Sequence, residues 1–345
     1  MHKATLFENV EGETIRCVAC NNFCIIKNKD SGICGVRKNV GGQLYLMVYG
    51  QAAAVNIDPM EKKPLYHFLP GEKILTIGTI GCNFGCSFCQ NWSISQATKD
   101  VKLRKIPFDA IFKEHGYDLP PKEVIKICLR DGIKAVAFSY NEPVIFFEYA
   151  FDIMKLAKKH GIKSVFVSNG YESEQALDKM KGYLDAMNID LKAFTEKFYM
   201  KVCHARLAPV LETIKKVHAR GIWLEITTLL IPGENDSPEE IERIVNFIAG
   251  VDRNIPWHIS AFHPDYKMLG KQSTPHATLI NAYELGKKKL NYVYVGNVVD
   301  HKRSTTYCST CGEKIIERRN YHMVMVGLKE GKCGKCGEKV PGIFA

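Results

Sequence analysis

From Lys73 onward, short apolar runs alternate with stretches of helical period, and this alternation limits the fold more than any other feature. The runs at 74–79, 135–140, 164–168, 186–191, 223–230 and 257–262 read as strands. Between them, 143–160 places Val144, Phe147, Phe151, Met154 and Ala157 on one helical face. The stretch 209–220 places Leu211, Ile214 and Val217 likewise, and Gly221 ends it. Ser237-Pro238-Glu239-Glu240 reads as a capping box with Pro at the first helical position. Strands alternating with helices predict an α/β chain with a parallel sheet, here about six strands curled into a partial (β/α)6 barrel. In such barrels chemistry gathers at the C-terminal ends of the strands.

The loop after the first strand reads Cys82-Asn83-Phe84-Gly85-Cys86-Ser87-Phe88-Cys89. Three cysteines at C-x3-C-x2-C spacing can hold three irons of a [4Fe–4S] cluster and leave the fourth without a protein ligand. An open iron can bind a substrate, whereas a cluster with four cysteine ligands mostly passes electrons. The other readings are a zinc site or a cluster completed by a distant cysteine.

The remaining cysteines also group by spacing. Of the 13 in the chain, Cys17, Cys20, Cys24 and Cys34 form one set and Cys308, Cys311, Cys333 and Cys336 another; Cys128 and Cys203 stand apart. Such grouping reads as metal rather than disulfides. The last set forms two C-x2-C-G knuckles, the pattern of a zinc ribbon with four thiolate ligands, with rubredoxin-like iron as the other reading. The first set, C-x2-C-x3-C-x9-C, suits zinc or an auxiliary cluster. These groups divide the chain into an N-terminal cysteine-rich module at 1–70, a barrel at 71–300 and a ribbon at 301–345. Residues 97–121, rich in charge and proline, read as an insertion or lid.

The 345-residue chain shows no apolar run long enough to span a membrane and no apolar leader, so a cytoplasmic protein is expected. Its net charge of +10 is spread over short runs such as Lys158-Lys159-His160 and Lys287-Lys288-Lys289, which suit helix ends and solvated faces. No basic–aromatic interleaving or RNA-binding motif accompanies the charge, so a nucleic-acid partner is not expected.

With an aromatic before its last cysteine and a strand before its first, the triad has the form associated with S-adenosylmethionine (SAM) radical chemistry. SAM needs iron for its amino and carboxylate groups, acceptors for the amine, a carboxylate for the ribose and a platform for adenine. Polar residues recur after successive strands. Asn141 and Glu142 can accept from an ammonium; Ser168 and Asn169 follow the third strand; Asp190 can accept from ribose hydroxyls, and Lys192 can pair with a carboxylate. His258 and His263 flank the sixth strand.

These motifs resemble the radical SAM activating enzymes related to pyruvate formate-lyase activase, and more closely the AmmeMemoRadiSam subgroup. The resemblance rests on Cys17-Val18-Ala19-Cys20, Gly32-Ile33-Cys34-Gly35-Val36-Arg37, Asp58-Pro59-Met60-Glu61-Lys62-Lys63-Pro64-Leu65, Gly81-Cys82-Asn83-Phe84, Gln90-Asn91-Trp92-Ser93-Ile94-Ser95-Gln96 and the C-terminal cysteine pairs. It implies a [4Fe–4S] cluster, SAM as co-substrate and reductive cleavage to a 5′-deoxyadenosyl radical, with a low-potential electron donor. It matches Asn141 and Glu142 to the amine-binding motif, Asp190 and Lys192 to ribose and carboxylate contacts, and His258 to a SAM-proximal position. It also implies either a glycine of a partner protein as the target or work alongside Memo-like and Ammecr-like proteins. One departure is His204, where the family's pattern has Gly after the cysteine at 203. Cys203 itself reads as a hydrogen-atom relay, a ligand or a packing residue. Modification of RNA or of a small molecule, and a non-catalytic electron carrier, are the rival functions.

Overall fold

The computed structural model describes residues 1–99 and 116–344. The chain forms two compact units, each assembled from separate stretches. Met1–Asp58, Lys73–Asp185 and Cys203–Ala205 make the first; Pro59–Glu72, Ala186–Val202 and Arg206–Ala345 make the second. Most of the expected lid at 97–121 lies outside the described residues.

In the first unit, β1 (Lys73–Gly78), β2 (Ala135–Phe138) and β3 (Lys163–Ser168) run parallel, with Ala135 level with Ile74 on one side and Lys163 on the other. Every residue of β2 is buried, as are Ile74 to Gly78 of β1. That is why these strands read as unbroken apolar runs rather than alternating ones. Helix α1 (Pro121–Arg130) opens with Pro at its first position, where the missing N–H costs nothing. Helix α2 (Phe147–Lys159) is preceded by a 3₁₀ turn, Pro143–Phe146. Its buried face is Phe147, Ala150, Ile153, Met154 and Ala157; Phe151, expected on that face, is half-buried and stacks on Phe147 at 5.3 Å. Lys158 and Lys159 close the helix, where its dipole favours cations. Helix α3 (Glu174–Met180) is capped by the Ser173 hydroxyl, which accepts from Ala176 N at 3.1 Å.

The N-terminal stretch of this unit builds small antiparallel sheets, Phe7–Glu11 with Thr14–Cys17 and Ile25–Ile26, and His2–Lys3 with Gln43–Leu46 and Arg37–Val40. They are anchored by a buried ion pair. Arg37 donates to both oxygens of Glu148 on α2, at 2.8 and 3.0 Å. Burial alone would raise the Glu148 carboxyl, but Arg37 holds it below the usual range.

In the second unit, β4 (Ala186–Asp190), β5 (Trp223–Leu230), β6 (Trp257–Ala261) and β7 (Val293–Gly296) are parallel and in sequence order. Strand β7 lies outside the six strands that the sequence predicts, because four residues are too short a run to stand out. Helices α4 (Leu207–Ala219), α5 (Pro238–Asp252) and α6 (His276–Lys287) lie between these strands. The expected capping box on α5 is half built. Ser237 Oγ accepts from Glu240 N at 3.2 Å, while the Glu240 carboxylate accepts from Phe194 N and pairs with Arg243. The fold is thus an α/β partial barrel, and all six expected strands are present.

The ribbon closes the second unit. Strands β8 (Lys314–Arg319) and β9 (His322–Met325) pair antiparallel. Each cysteine knuckle is a tight turn: Gly312 N donates to Cys308 O at 3.0 Å and Gly337 N to Cys333 O at 2.9 Å. Both glycines hold positive φ, +71° and +78°, which explains the glycine after each C-x2-C. Ile315, Ile316 and Val340 pack there with Tyr66, Tyr292 and Tyr294.

Candidate active site

The cysteine loop leaves β1 through Thr79, Ile80 and Gly81, whose backbone groups have run out of sheet partners. Asn141, just after β2, supplies them. Its Oδ1 accepts from Thr79 N at 3.1 Å, and its Nδ2 donates to Thr79 Oγ1 at 3.0 Å and Gly81 O at 2.8 Å. The structure therefore places the Asn141 side chain as a brace for the loop. Gly81 sits at φ +87°, and a Cβ there would lie 2.6 Å from Cys34 O, so no other residue fits.

Cys82 and Cys86 are buried and Cys89 is half-exposed, with its Sγ 3.1 Å from Ser95 Oγ. Burial pushes the Cys82 thiol up to about 12, against the pull of Lys99. A thiol so placed ionises readily only when a metal takes the charge. The loop rests on 203–205: Gly85 N donates to Cys203 O at 2.9 Å, and Gly85 lies against the His204 ring. His204 takes φ +55°, a left-handed conformation that glycine adopts without strain. Cys203 is wholly buried.

Beside the loop lies a second polar layer. Asn169 Nδ2 donates to Asn83 Oδ1 at 2.8 Å, and Asn169 N donates to Glu142 Oε2 at 2.8 Å. Glu142 also accepts from Val144 N at 3.2 Å and faces Ser168 Oγ at 3.0 Å. Ser168 Oγ lies 2.6 Å from Glu172 Oε1 and accepts from Gly170 N at 2.9 Å. A hydroxyl carries one proton, so it cannot donate to both carboxylates at once. Burial, and then Glu172, push the Glu142 carboxyl well up; burial also raises Glu172. Burial thus disfavours full ionisation of both carboxyls, and a cation bound beside them would favour their charged forms.

Among the described residues, Asn83 Nδ2 and Asn169 Oδ1 in this layer are buried without a hydrogen-bond partner. A buried donor and acceptor left open cost about 1–3 kcal/mol each unless something fills them. They lie beside Cys82 and next to Glu142. A bound molecule with both amine and carboxylate groups on a cysteine-held cluster would satisfy such a set, so these residues fit [4Fe–4S] and SAM.

The other expected SAM residues belong to the second unit. Asp190 ends β4 and pairs with Lys192 Nζ at 2.8 Å. Lys192 is further fixed through its backbone: its N donates to Tyr199 OH, and its O accepts from Asn235 Nδ2 at 2.6 Å. His258 lies near the start of β6, 4% exposed, with Nε2 2.6 Å from Glu225 Oε2. Glu225 also accepts from Tyr66 N, His67 N and Trp223 Nε1, at 2.9, 2.8 and 3.0 Å. Burial would raise Glu225, but His258, with His67 and Trp223, holds it below its usual range. His258 is thus part of a structural network that sequence reasoning missed, because its partners come from two distant stretches, 66–67 and 223–225. Glu172 was missed for a similar reason: it acts through Ser168 and carries no motif.

The four ribbon cysteines place their Sγ atoms all within 4.8 Å of one another, with Cys308–Cys336 at 3.6 Å and Cys311–Cys333 at 3.7 Å. Tetrahedral thiolates at zinc–sulfur distances of about 2.3 Å stand about 3.8 Å apart. The cluster could hold a metal ion.

With fold and site in hand, the chain belongs to the radical SAM superfamily, whose model matches residues 76–248. It is 38% identical over 344 residues to an uncharacterized protein of Methanocaldococcus jannaschii, MJ0808, covering 99% of both chains. A second protein of that organism, MJ1632, whose name assigns it provisionally to glycyl-radical enzyme activation, is 25% identical over 66% of this chain and 82% of its own. The pyruvate formate-lyase-activating enzyme of Clostridium pasteurianum is 25% identical over 51% of this chain and 68% of its own. Among the described residues, no helix is long and apolar enough to cross a membrane.

Proposed function

We propose that this chain is a cytoplasmic activating-enzyme-like oxidoreductase in which a bound [4Fe–4S] cluster supplies the electron that splits SAM to methionine and a 5′-deoxyadenosyl radical, the radical then taking a hydrogen atom from a partner protein. The observation that carries the reading is the open pair, Asn83 Nδ2 and Asn169 Oδ1, buried between the cysteine loop and Glu142. Cys82, Cys86 and Cys89 are the three iron ligands. Glu142, held by Ser168 and Asn169, is the counter-charge for the SAM ammonium. Asp190 takes the ribose hydroxyls and Lys192 the carboxylate, the Asp190–Lys192 pair opening to do so. The ribbon cysteines hold zinc, and Cys17, Cys20, Cys24 and Cys34 hold zinc or an auxiliary cluster.

The activating-enzyme relatives support a protein glycine as the target, and the chemistry calls for a low-potential electron donor. Memo-like and Ammecr-like proteins are the partners the sequence resemblance adds. The protein's own work is to orient SAM, exclude water and oxygen and present the substrate.

Asp190→Ala tests the site assignment. Weakening of SAM binding by about tenfold with unchanged iron is expected, since one polar contact is worth about 1.5 kcal/mol. Loss of iron from this variant would contradict the placement.

A further inference from the structure

The stretch 90–96 carries part of the family resemblance, yet the proposed reaction gives it no task, and it folds back onto the third cysteine of the loop. We propose that Ser95, oriented by Gln96, is a positioning residue that donates a hydrogen bond to the Cys89 thiolate and thereby holds the cluster's potential less negative than it would be without that bond; this rests on the function proposed above, in which Cys89 ligates iron.

The local fold fixes both residues. Trp92–Ser95 make a single helical turn just after the cysteine loop. Ser95 N donates to Asn91 O and Gln96 N to Trp92 O, each at 2.9 Å. The same turn holds the start of the loop, since Gly81 N donates to Ile94 O at 2.9 Å. Ser95 is 1% exposed and Gln96 6%. Ser95 Oγ stands 3.1 Å from Cys89 Sγ. Counting hydrogens sets the direction of that contact. Gln96 Nε2 donates to Phe84 O at 3.2 Å, and a carbonyl only accepts, so this contact decides which end of the amide faces it. Phe84 O is itself held by Lys99 Nζ. The second hydrogen of Gln96 Nε2 reaches Ser95 Oγ at 3.1 Å, so the hydroxyl accepts there. Its own single hydrogen is then left for Cys89 Sγ. A cysteine that ligates iron is a thiolate and can only accept.

Cys82 provides the contrast. Its Sγ faces Asn83 Oδ1 at 3.8 Å, an amide oxygen that already accepts from Asn169 and has no hydrogen to offer a thiolate. The bond at Cys89 is therefore a feature of that ligand and not of the loop in general. Charge-assisted hydrogen bonds are stronger than neutral ones, and reduction by one electron adds negative charge to a cluster and its sulfur ligands. The Ser95 bond thus favours the reduced form, and hydrogen bonds to the sulfurs are among the levers that set a cluster's potential. Burial of Ser95 and Gln96 keeps the bond in a low-dielectric setting, where it counts for more than in water. The consequence is a cluster that a donor of given potential reduces more fully.

The test uses full-length, anaerobically reconstituted wild type, Ser95→Ala, Ser95→Thr and Gln96→Met. Iron and sulfide are counted, and the midpoint potential is read from the electron paramagnetic resonance signal of the reduced cluster during titration with dithionite, without SAM. Ser95→Ala is expected to keep its iron and to be about tenfold harder to reduce, a shift of about 59 mV to more negative potential for a one-electron couple. Ser95→Thr keeps the hydroxyl and should return the potential to that of wild type. Gln96→Met keeps the hydroxyl but frees it to turn, so its potential should fall between those of wild type and Ser95→Ala. An unshifted potential in Ser95→Ala with full iron overturns the inference, as does a shift in Ser95→Thr equal to that of Ser95→Ala. If Ser95→Ala fails to hold a cluster, Gln96→Met decides, and an unshifted potential there overturns the inference. A wild type that takes up no four-iron cluster overturns the function proposed above and this inference with it. The expected shifts in a protein that never forms 5′-deoxyadenosine overturn that function alone.

Discussion

At the scale of single residues, the site depends on atoms that leave no room for substitution. Gly81 joins a positive φ to contact with Cys34 O, so it serves the cysteine loop and the N-terminal turn together. Gly81→Ala should cost about 1–3 kcal/mol from backbone strain and overpacking. It should also lower iron content after reconstitution; denaturant unfolding and iron analysis check both, and full iron with unchanged stability would contradict the close approach. The cysteines and strand-end residues were legible because their chemistry is carried by local spacing. Asn141 shows the limit of that legibility. Its position after β2 marked it as important, but its side chain is spent on Thr79 and Gly81, a tertiary pairing that no spacing reports. Glu172 and Asn83 were silent for the same reason.

At the scale of elements, the β/α alternation carried most of the fold. The buried strands read as apolar runs because both faces are covered, and α2 and α4 showed their period because one face is. What failed was short or shared. β7 offered only Val293 to Gly296, and Glu240 left its expected cap because Phe194 N took its carboxylate. The ribbon was legible down to its glycines, since each C-x2-C-G demands the same positive-φ turn. Its thiol separations of 3.6 and 3.7 Å suit zinc. Cys308→Ser should therefore remove about one zinc, measured by elemental analysis, while the iron held by Cys82, Cys86 and Cys89 stays. Unchanged zinc would contradict the ribbon assignment.

At the scale of the molecule, stability toward acid should depend on a buried group outside the cysteine loop, held by residues far along the chain. His67 bonds to Tyr294 OH at 2.6 Å and Pro341 O at 2.7 Å, and burial lowers its pKa from 6.5 to about 4. The unfolded chain then binds the proton first, so this group costs nothing above pH 6.5 and removes stability as pH falls from 6.5 toward 4. The loss amounts to roughly 2 kcal/mol between pH 7 and pH 5. His67→Gln should flatten the pH dependence of urea unfolding by that amount over this window, even if it lowers stability throughout; an unchanged slope would show that His67 does not titrate as its burial requires. Above these local matters stands the claim that the chain performs SAM radical chemistry. The direct measurement is 5′-deoxyadenosine, separated by chromatography after dithionite and SAM are added to the anaerobically reconstituted protein. Wild type is predicted to form it, and Cys82→Ala, Cys86→Ala and Cys89→Ala are predicted to form none. Its absence from wild type with a full cluster and bound SAM, or its undiminished formation by the three variants, would contradict the account.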